Sequence, residues 1–398
     1  MRKIAMLGCG ARYGGCPMMT RREYLRQAAG TAAALAIPGL LGGRSAAAQA
    51  VSAKPITGKN SLKARAAARG LLAGCAVNAP ALRSDEAYRN LLTEQYNIVV
   101  AEYCMKWAAL RPTPDTYSFD EADELMAFAQ THGMKIRGHN FVWHESLPKW
   151  FAGTVNKDNA QKFMTDHIMA VGGRYKGRIH SWDVVNEAIW IPDGRPDGLR
   201  SSSPWMQMLG PEYIDIAFKT ARQVDPKALL TYNEYGIEYD TAEEAKKRAA
   251  VLGLLQRLKT AGTPLDALGI QSHMRAGGKD TFGKGVTELI ASARGMGLQV
   301  FITEMDVKDA DVASDDIGVI DRAVADVYRD YLTDVLRDPS VKAVLTWGAS
   351  DKQAWMNDPS QRKRDAGRMS RPLPFDKDYM PKEAFFAIRD AFDGAKRR

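Results

Sequence analysis

From residue 71 onward, eight short apolar segments alternate with longer segments of helical periodicity. Several of the short segments are unbroken apolar runs, as expected of strands that are buried on both faces. The eight predicted strands are residues 71–77, 98–102, 135–139, 179–187, 228–234, 267–273, 299–304 and 342–347. Eight strands that alternate with helices predict a protein of the α/β class, folded as a single (β/α)₈ TIM barrel.

The segments between the predicted strands carry helix signals. Residues 120–132 place apolar side chains at helical spacing behind an acidic first turn, and residues 241–259 start on a threonine cap followed by two glutamates. Residues 211–223 and 314–336 are predicted helices too. An open doubly wound sheet is the alternative fold. No glycine-rich nucleotide-binding pattern follows a strand, so the barrel is favoured.

The first fifty residues are typical of a cleaved export signal. Residues 20–26 (Thr-Arg-Arg-Glu-Tyr-Leu-Arg) resemble a twin-arginine motif, a short apolar stretch follows at 28–41, and small residues occupy 46–50. We therefore predict a twin-arginine-type signal peptide over residues 1–50, cleaved after Ala48 or Ala50, and one folded domain over residues 51–398. The mature protein would be periplasmic or secreted. An amphipathic helix of the folded domain is the alternative interpretation.

The net charge of +8 is concentrated in that leader. Residues 1–50 hold seven basic residues and one acidic residue, so six of the eight net charges lie there. The nearly neutral remainder gives no electrostatic reason to expect a nucleic acid partner. The apolar stretch at 28–41 is too short to span a bilayer, so no membrane anchor is expected.

Two cysteines remain after the leader, Cys75 and Cys104. Residues 72–75 (Leu-Ala-Gly-Cys) resemble a lipoprotein cleavage box, but they do not directly follow the apolar run, so we interpret them as part of a buried strand. We expect two buried free thiols, with a disulfide bridge as the alternative.

Polar and aromatic residues collect at the carboxyl ends of the predicted strands, where a barrel carries its site. In chain order they are Glu102, Lys106, His139, Trp143, His144, Asn186, Glu187, Asn233, Glu234, Tyr235, Gln271, His273, Glu304, Asp306, Trp347 and, shortly after the last strand, Trp355. Trp150, Trp190 and Trp205 are expected to pack in loops or the core instead. This clustering predicts one polar pocket with an aromatic rim.

Two carboxylates stand out within this set, Glu187 and Glu304. They end the fourth and seventh predicted strands, which face each other across a barrel. Glycoside hydrolysis requires such a pair, one carboxyl protonated to release the leaving oxygen and one ionised to attack or to activate water. A structural ion pair with Lys106 or with an arginine is the simpler alternative. A metal site at Glu102, His139 and His144 is a further alternative, but the spacing is not that of a helical metal motif, and we expect no metal.

These residues lie in segments that resemble the family 10 glycoside hydrolases, typified by endo-β-1,4-xylanases. The matching segments, in order over residues 62–388, are Met-Lys-Trp at 105–107, Arg-Gly-His at 137–139, Val-Trp-His at 142–144, His-Ile at 167–168, Arg-Tyr-Lys-Gly at 174–177, Trp-Asp-Val-Val-Asn-Glu-Ala at 182–188, Gln-Ser-His at 271–273, Ile-Thr-Glu-Met-Asp at 302–306, Trp-Gly at 347–348 and Pro-Lys at 381–382. The resemblance implies a catalytic barrel over residues 51–398.

The resemblance also implies roles for individual residues. Glu187 would be the general acid/base and Glu304 the nucleophile of a retaining mechanism. His273 would hydrogen-bond the nucleophile with Asp306 behind it, and Asn186 would contact the sugar 2-hydroxyl. The residues expected to contact substrate are Glu102, Tyr103, Lys106, His139, Trp143, Asn233, Tyr235, Gln271, Trp347 and Trp355.

The chain departs from the family pattern at several strand ends. Tyr103 replaces an asparagine that contacts sugar on the non-reducing side, and Ser146 replaces a glutamine on the same side. Residues 140–141 (Asn-Phe) and Glu234 are further departures, and we expect all of them where substrate length and decoration are read. An alternative for Tyr103 is that its side chain packs away from substrate.

The resemblance predicts a retaining endo-β-1,4-xylanase that acts on β-1,4-xylan or xylo-oligosaccharides. An exo-acting or oligosaccharide-trimming glycosidase of the same fold is the first alternative, and a non-catalytic carbohydrate-binding barrel is the second. Twin-arginine export also suggests an oxidoreductase, but the sequence holds no phosphate cradle, haem motif or metal-spaced cysteine cluster. We therefore expect no cofactor. We also expect the protein to be a monomer.

Overall fold

The computed structural model describes residues 55–358 and 368–398. The predicted signal peptide, residues 1–50, lies outside the described residues. In the described part, eight parallel strands close into a barrel, because the sixth strand pairs with the eighth and the ninth pairs with the first. The nine strands are β1 (Leu72–Val77), β2 (Ile98–Ala101), β3 (Lys135–Val142), β4 (Ser181–Asn186), β5 (Leu229–Glu234), β6 (Ala267–Ile270), β7 (His273–Arg275), β8 (Gln299–Lys308) and β9 (Val341–Thr346). The predicted barrel is confirmed.

Helices connect the strands and surround the barrel, as right-handed β–α–β crossovers require. They are α1 (Leu62–Ala67), α2 (Ala79–Ser84), α3 (Glu86–Gln95), α4 (Trp107–Leu110), α5 (Asp120–Thr131), α6 (Phe151–Thr154), α7 (Ala160–Tyr175), α8 (Pro204–Leu209), α9 (Tyr213–Val224), α10 (Ala242–Thr260), α11 (Lys284–Gly295), α12 (Ile317–Val335) and α13 (Glu383–Gly394). Among the residues the structure describes, no helix combines the length and apolar character needed to cross a membrane.

Side-chain caps set the start of the long helices. The Thr241 hydroxyl accepts a hydrogen bond from the Glu244 backbone N–H at 3.2 Å, as the sequence predicts for α10. The Asp316 carboxylate accepts from the backbone N–H groups of Gly318 and Val319, so α12 starts three residues later than the prediction from residue 314. Each cap satisfies N–H groups that the helix itself leaves without a partner.

The sixth predicted strand, residues 267–273, is broken in two. Ser272 has a φ of +62°, a left-handed conformation that a continuous strand cannot contain. Strand β6 therefore ends at Ile270, and β7 begins at His273 and pairs only with the outer end of β8. That pairing also explains why β8 runs four residues beyond the predicted end at residue 304.

The core has an inner and an outer layer. Ile98, Val100, Phe301 and Leu345 fill the barrel, while a larger cluster packs the strands against the helices. Cys75 and Cys104 are buried free thiols, as expected. Of the three tryptophans expected to pack away from the site, Trp205 is fully buried, and Trp150 donates from its indole N–H to the Arg111 carbonyl at 2.9 Å. Trp190 packs beside Arg200, whose guanidinium lies 4.8 Å from the ring centroid.

Candidate active site

A cavity of about 780 Å³ opens at the carboxyl ends of the barrel strands. The family resemblance implies a catalytic, supporting or substrate-binding role for fifteen residues, and fourteen of them line the cavity. They are Glu102, Tyr103, Lys106, His139, Trp143, Asn186, Glu187, Tyr235, Gln271, His273, Glu304, Asp306, Trp347 and Trp355. The structure therefore brings residues from seven of the eight barrel strand ends into one cleft.

Glu187 follows β4 in a left-handed backbone conformation, with a φ of +58°. This conformation costs energy for a residue with a Cβ atom, and such residues cluster at functional sites. Its Oε2 accepts a hydrogen bond from the Trp143 indole at 2.8 Å, and its Oε1 accepts from the Gln271 and Asn186 side-chain amides at 3.0 Å each. These three donors fix the carboxyl at the cavity wall.

The environment of Glu187 favours its protonated form. Burial raises the pKa of the Glu187 carboxyl, and the negative charges of Glu234 and Glu304 add to the rise. The hydrogen bonds from Gln271 and Trp143 oppose the rise without cancelling it. A carboxyl group with a raised pKa can donate a proton near neutral pH.

Glu304 lies within β8 and has the opposite environment. Burial alone would raise its pKa, but the hydrogen bond from His273 and the positive charges of His139, His273 and Lys106 outweigh that effect and lower the pKa to about 2. The Asn233 amide donates to Glu304 Oε1 at 2.7 Å, and His273 Nε2 lies 3.4 Å from Oε2. Glu304 is therefore ionised at neutral and mildly acidic pH.

His273 is held between two carboxylates. Its Nδ1 lies 2.9 Å from Asp306 Oδ1, and the other Asp306 oxygen accepts from the Trp355 indole at 2.7 Å. Burial alone would lower the pKa of His273, but Asp306 and Glu304 together raise it well above its usual range. The protonated His273 ring can therefore donate a hydrogen bond to Glu304, as the family resemblance implies.

Asn233 was expected to contact substrate, and the structure corrects this assignment. Its side chain is fully buried and does not line the cavity. Its amide donates to Glu304 and, at 2.8 Å, to the side-chain oxygen Oδ1 of Asn186, while its own side-chain oxygen accepts from the Thr303 hydroxyl. A Cβ atom on Gly269 would lie 2.2 Å from that oxygen, so the glycine on the neighbouring strand makes room for Asn233. Asn233 positions Glu304 from behind.

Arg137 and Asp183 are site residues that the sequence analysis missed. Asp183 Oδ2 lies 2.9 Å from His139 Nδ1 and accepts from Arg137 Nε at 3.2 Å, and all three side chains are buried. Both residues lie inside strands, below the strand ends on which the sequence analysis concentrated. A charged residue within a buried apolar strand needs a buried partner. This pattern in the sequence could have identified Arg137 and Asp183 as a pair.

A metal ion has one candidate set of ligands among the described residues: His139, Asp183 and Glu304, whose ligand atoms lie within 4.8 Å of one another. Arg137 already pairs with Asp183 in that cluster, so a metal would compete with a fixed positive charge. Glu102, His139 and His144, which the sequence offered as alternative metal ligands, do not form such a cluster in the described residues. Glu102 instead accepts from the Asn78 amide at 2.9 Å.

Most departures from the family pattern lie outside the cleft, contrary to our expectation. Phe141 stacks on Trp182 in the core with ring centroids 4.1 Å apart, and Glu234 is fully buried with its Oε1 2.9 Å from Lys247 Nζ. Tyr103 does line the cavity and is 50% exposed, so the alternative that it packs away is wrong. Glu145, which precedes Ser146, lines the cavity as well.

Aromatic rings and cations form the walls of the cleft. The Lys106 ammonium lies 4.9 Å from the Trp143 ring centroid and 5.6 Å from that of Trp347. The Tyr235 ring is held by the Lys247 ammonium, 3.6 Å from its centroid, and by Arg200, which donates to its hydroxyl at 3.2 Å. Flat aromatic walls beside hydrogen-bonding groups suit a ligand with both apolar faces and hydroxyl groups.

The protein is a (β/α)₈ barrel with an aromatic-walled cleft, and the cleft holds one carboxyl group with a raised pKa and one with a lowered pKa. These features together are typical of the glycoside hydrolase class. Comparison with known proteins narrows this class to a family. The model of Glycosyl hydrolase family 10 matches residues 61–391. The chain belongs to this family and is a glycoside hydrolase.

Characterised relatives and solved structures agree with this placement. The chain is 33% identical over 311 residues to endo-1,4-beta-xylanase B of Thermotoga neapolitana, a match that covers 77% of this chain and 84% of that protein. It is 35% identical over 310 residues to the beta-1,4-xylanase of Dictyoglomus thermophilum, covering 76% and 83%. The crystal structure of native xylanase 10B from Thermotoga maritima superposes with a TM-score of 0.75 at 33% identity, covering 84% of this chain and 98% of that chain.

Proposed function

We propose that this protein is a retaining endo-β-1,4-xylanase that hydrolyses internal bonds of β-1,4-xylan and xylo-oligosaccharides. The observation that carries the proposal is the opposite environment of two carboxyl groups in one cleft. Burial raises the pKa of Glu187, while His273, His139 and Lys106 lower that of Glu304. The relatives are xylanases by name, which supports xylan as the substrate.

In the first step, the Glu304 carboxylate attacks the anomeric carbon while Glu187 transfers its proton to the glycosidic oxygen. The bond between carbon and leaving oxygen breaks, and a glycosyl ester forms on Glu304. In the second step, Glu187, now ionised, takes a proton from water as the water attacks the same carbon. The ester breaks and both residues return to their initial states, so the sugar keeps its β-configuration.

The neighbouring residues support these two steps. The His273 imidazolium and the Asn233 amide hold Glu304 in place and keep it ionised before attack. The Asn186 side-chain amide donates to Glu187, and its oxygen accepts from Asn233. These two hydrogen bonds fix the amide group that would contact the sugar 2-hydroxyl. Trp143, Tyr235, Trp347 and Trp355 provide the walls on which sugar rings would stack.

The product profile tests the proposal. The chain from Val51 would be incubated with linear xylan, xylohexaose and xylobiose. We expect a rapid fall in polymer length with xylobiose and xylotriose as products, and fresh products in the β-anomeric form by proton NMR. Turnover of none of the three substrates would reject the xylanase assignment, and α-anomeric products would reject the double displacement.

The pH profile should follow the two carboxyl groups. Activity needs Glu304 ionised and Glu187 protonated, so kcat/KM should stay high at acidic pH and fall as pH rises through the raised pKa of Glu187. The Trp143 N–H stabilises the ionised form of Glu187, so Trp143→Phe should move the alkaline limb to higher pH. Trp150→Phe, which removes an indole outside the cleft, is the control. An alkaline limb that Trp143→Phe moves to lower pH would contradict this assignment.

An oligosaccharide-trimming activity is a second candidate, because Tyr103 places a half-exposed ring in the lining of the cleft. Tyr103→Asn replaces that ring with a small amide that can hydrogen-bond a sugar. We expect it to raise kcat/KM on xylohexaose relative to xylobiose by about threefold to tenfold, the value of one hydrogen bond. Tyr103→Phe separates the effect of the ring from that of the hydroxyl. An unchanged ratio in Tyr103→Asn would show that the ring does not limit substrate length.

We further propose that residues 1–50 direct export through a twin-arginine route. The support is the sequence pattern alone, since these residues lie outside the described structure. Replacing both Arg21 and Arg22 with lysine should leave the uncleaved precursor inside the cell, whereas Arg12→Lys should be exported normally. Amino-terminal sequencing of the exported protein would identify cleavage after Ala48 or Ala50, and normal export of the double variant would reject the proposal.

A further inference from the structure

We propose that Glu234 and Lys247 form a buried positioning pair behind the cleft. Glu234 holds the acid/base Glu187 in the orientation and electric field that proton transfer needs. Lys247 holds Glu234 and the ring of Tyr235, which forms a wall of the cleft. Neither member of the pair touches substrate. The inference rests on the proposed retaining mechanism, because that mechanism gives Glu187 its role.

The pair lies between strand β5 and helix α10. Glu234 is the last residue of β5 and its side chain is fully buried, while the side chain of Lys247 on α10 is 7% exposed. Lys247 Nζ lies 2.9 Å from Glu234 Oε1. Replacing a buried ion pair with apolar side chains is often neutral for stability or stabilising, so such a pair is weak evidence of a stabilising role. The contacts that both side chains make with the site indicate a different role.

Glu234 fixes the backbone that follows Glu187. Its Oε2 accepts a hydrogen bond from the Ile189 backbone N–H at 3.1 Å. Arg200 holds the two preceding carbonyl groups, since its Nε donates to that of Glu187 at 3.1 Å and its backbone N–H donates to that of Ala188 at 2.7 Å. A left-handed residue with a Cβ atom persists only where its surroundings hold it. The Glu187 backbone, with its φ of +58°, therefore depends on these contacts, and Glu234 supplies the carboxylate among them.

Glu234 also acts on Glu187 through its charge. Burial is the largest cause of the raised pKa of Glu187, and the negative charge of Glu234 adds to it. The other charged or titratable groups that act on Glu187 are Glu304 on β8, Lys106 before α4 and Tyr235 after β5. The groups that face Glu234 are Lys247 from α10, Tyr232 from β5 and Tyr213 from α9. Removing Glu234 and removing Lys247 should therefore change the field at Glu187 with opposite signs.

The same pair holds Tyr235, which lines the cavity. Lys247 Nζ lies 3.6 Å from the centre of the tyrosine ring, within the range of a cation–π contact. The Tyr235 backbone N–H donates to Glu234 Oε1 at 3.1 Å, and its hydroxyl accepts from Arg200 at 3.2 Å. Because Lys247 contacts a wall of the cleft and not the acid/base, its loss should weaken substrate binding more than it slows proton transfer.

The test measures kcat, KM and the pH profile on xylohexaose. Glu234→Gln keeps the size of the side chain but removes its charge and one of its accepting oxygens. We expect kcat to fall by about threefold to tenfold, the effect of losing one hydrogen bond. The alkaline limb should move to lower pH by on the order of half a pH unit, because the pKa of Glu187 loses a negative neighbour. Glu234→Asp keeps the charge but withdraws the carboxylate, so kcat should fall while the limb stays in place.

Lys247→Met should have a different signature. We expect KM to rise by about twofold to fivefold with a smaller change in kcat, since the Tyr235 ring loses its cation. The alkaline limb should move to higher pH, because the charge of Glu234 is no longer compensated. Lys246→Met, at the exposed preceding position on α10, is the matched control, and Glu288→Gln, at an exposed position on α11, controls for the loss of a carboxylate.

The double variant that combines Glu234→Gln with Lys247→Met separates function from stability. It leaves no unpaired buried charge, so it should unfold at a higher temperature than either single variant, while its kcat stays below that of the wild type.

A purely structural pair would lower the unfolding temperature of the single variants without moving either the alkaline limb or KM. An alkaline limb that stays in place in Glu234→Gln, or a double variant with wild-type kcat and KM, would overturn the inference. Where Glu234→Gln does not fold, the limb and KM of Lys247→Met decide in the same way. A folded wild type that does not hydrolyse xylohexaose would instead reject the proposed function, so the two failures are distinguishable.

Discussion

Glu304→Gln should lower kcat/KM on xylohexaose by about 10⁴-fold or more, the loss typical of removing an enzymatic nucleophile. The amide cannot form a stable glycosyl ester, so the first step loses its nucleophile. Both His273 and Asn233 donate toward the present carboxylate, and glutamine offers only one accepting oxygen to the two donors. The variant should nevertheless fold, because the side chain keeps its shape.

The control for this experiment is Glu288→Gln, which makes the same chemical change at an exposed position on α11. Its activity should match the wild type, and thermal unfolding of both variants would show that each is folded. A Glu304→Gln protein that is folded and keeps more than a tenth of the wild-type rate would exclude Glu304 as the nucleophile.

Glu187→Gln should have an effect that depends on the leaving group. On xylohexaose, whose leaving oxygen needs a proton, we expect kcat/KM to fall by about 10²- to 10⁴-fold, the usual contribution of general acid catalysis. On an aryl xylobioside with an acidic phenol as leaving group, the first step needs no proton and should remain fast. The second step still needs a base, so the glycosyl-enzyme should accumulate and give a burst of phenol.

The comparison between the two substrates is the informative measurement. An equal loss on xylohexaose and on the aryl xylobioside, without a burst, would show that Glu187 does not act as the acid. The same Glu288→Gln variant controls for the loss of a carboxylate. Together the two glutamine variants separate the nucleophile from the acid, because only the nucleophile is needed for the first step on both substrates.

The architecture was predictable because each strand is locally distinctive. Unbroken apolar runs separated by amphipathic helices have few alternatives to a barrel, and the helix at Thr241 carries its own capping residue. The break at Ser272 was not predictable, since nothing in the segment 267–273 indicates a left-handed residue. Strand β8 is longer than predicted because its outer half is stabilised by pairing with β7, a contact between distant segments.

The candidate site was predictable to the level of which strand ends take part. Polar groups at the ends of apolar strands are visible in the sequence, and parallel strands in a barrel bring those ends together. The direction of each side chain was not visible. Asn233 lies behind Glu304 instead of facing the cleft, and Glu234 is turned into a buried pair with Lys247.

The sequence by itself determined the barrel, the residues available to the cleft and, through its motifs, the family. Only the tertiary structure decided which carboxyl group has the raised pKa. Glu187 and Glu304 are the same chemical group, and burial raises the pKa of both. Their pKa values separate because Glu187 also faces the negative charges of Glu234 and Glu304, while Glu304 lies beside His273, His139 and Lys106. A pKa depends on charges and burial within a few ångströms, and those neighbours come from strands far apart in the chain.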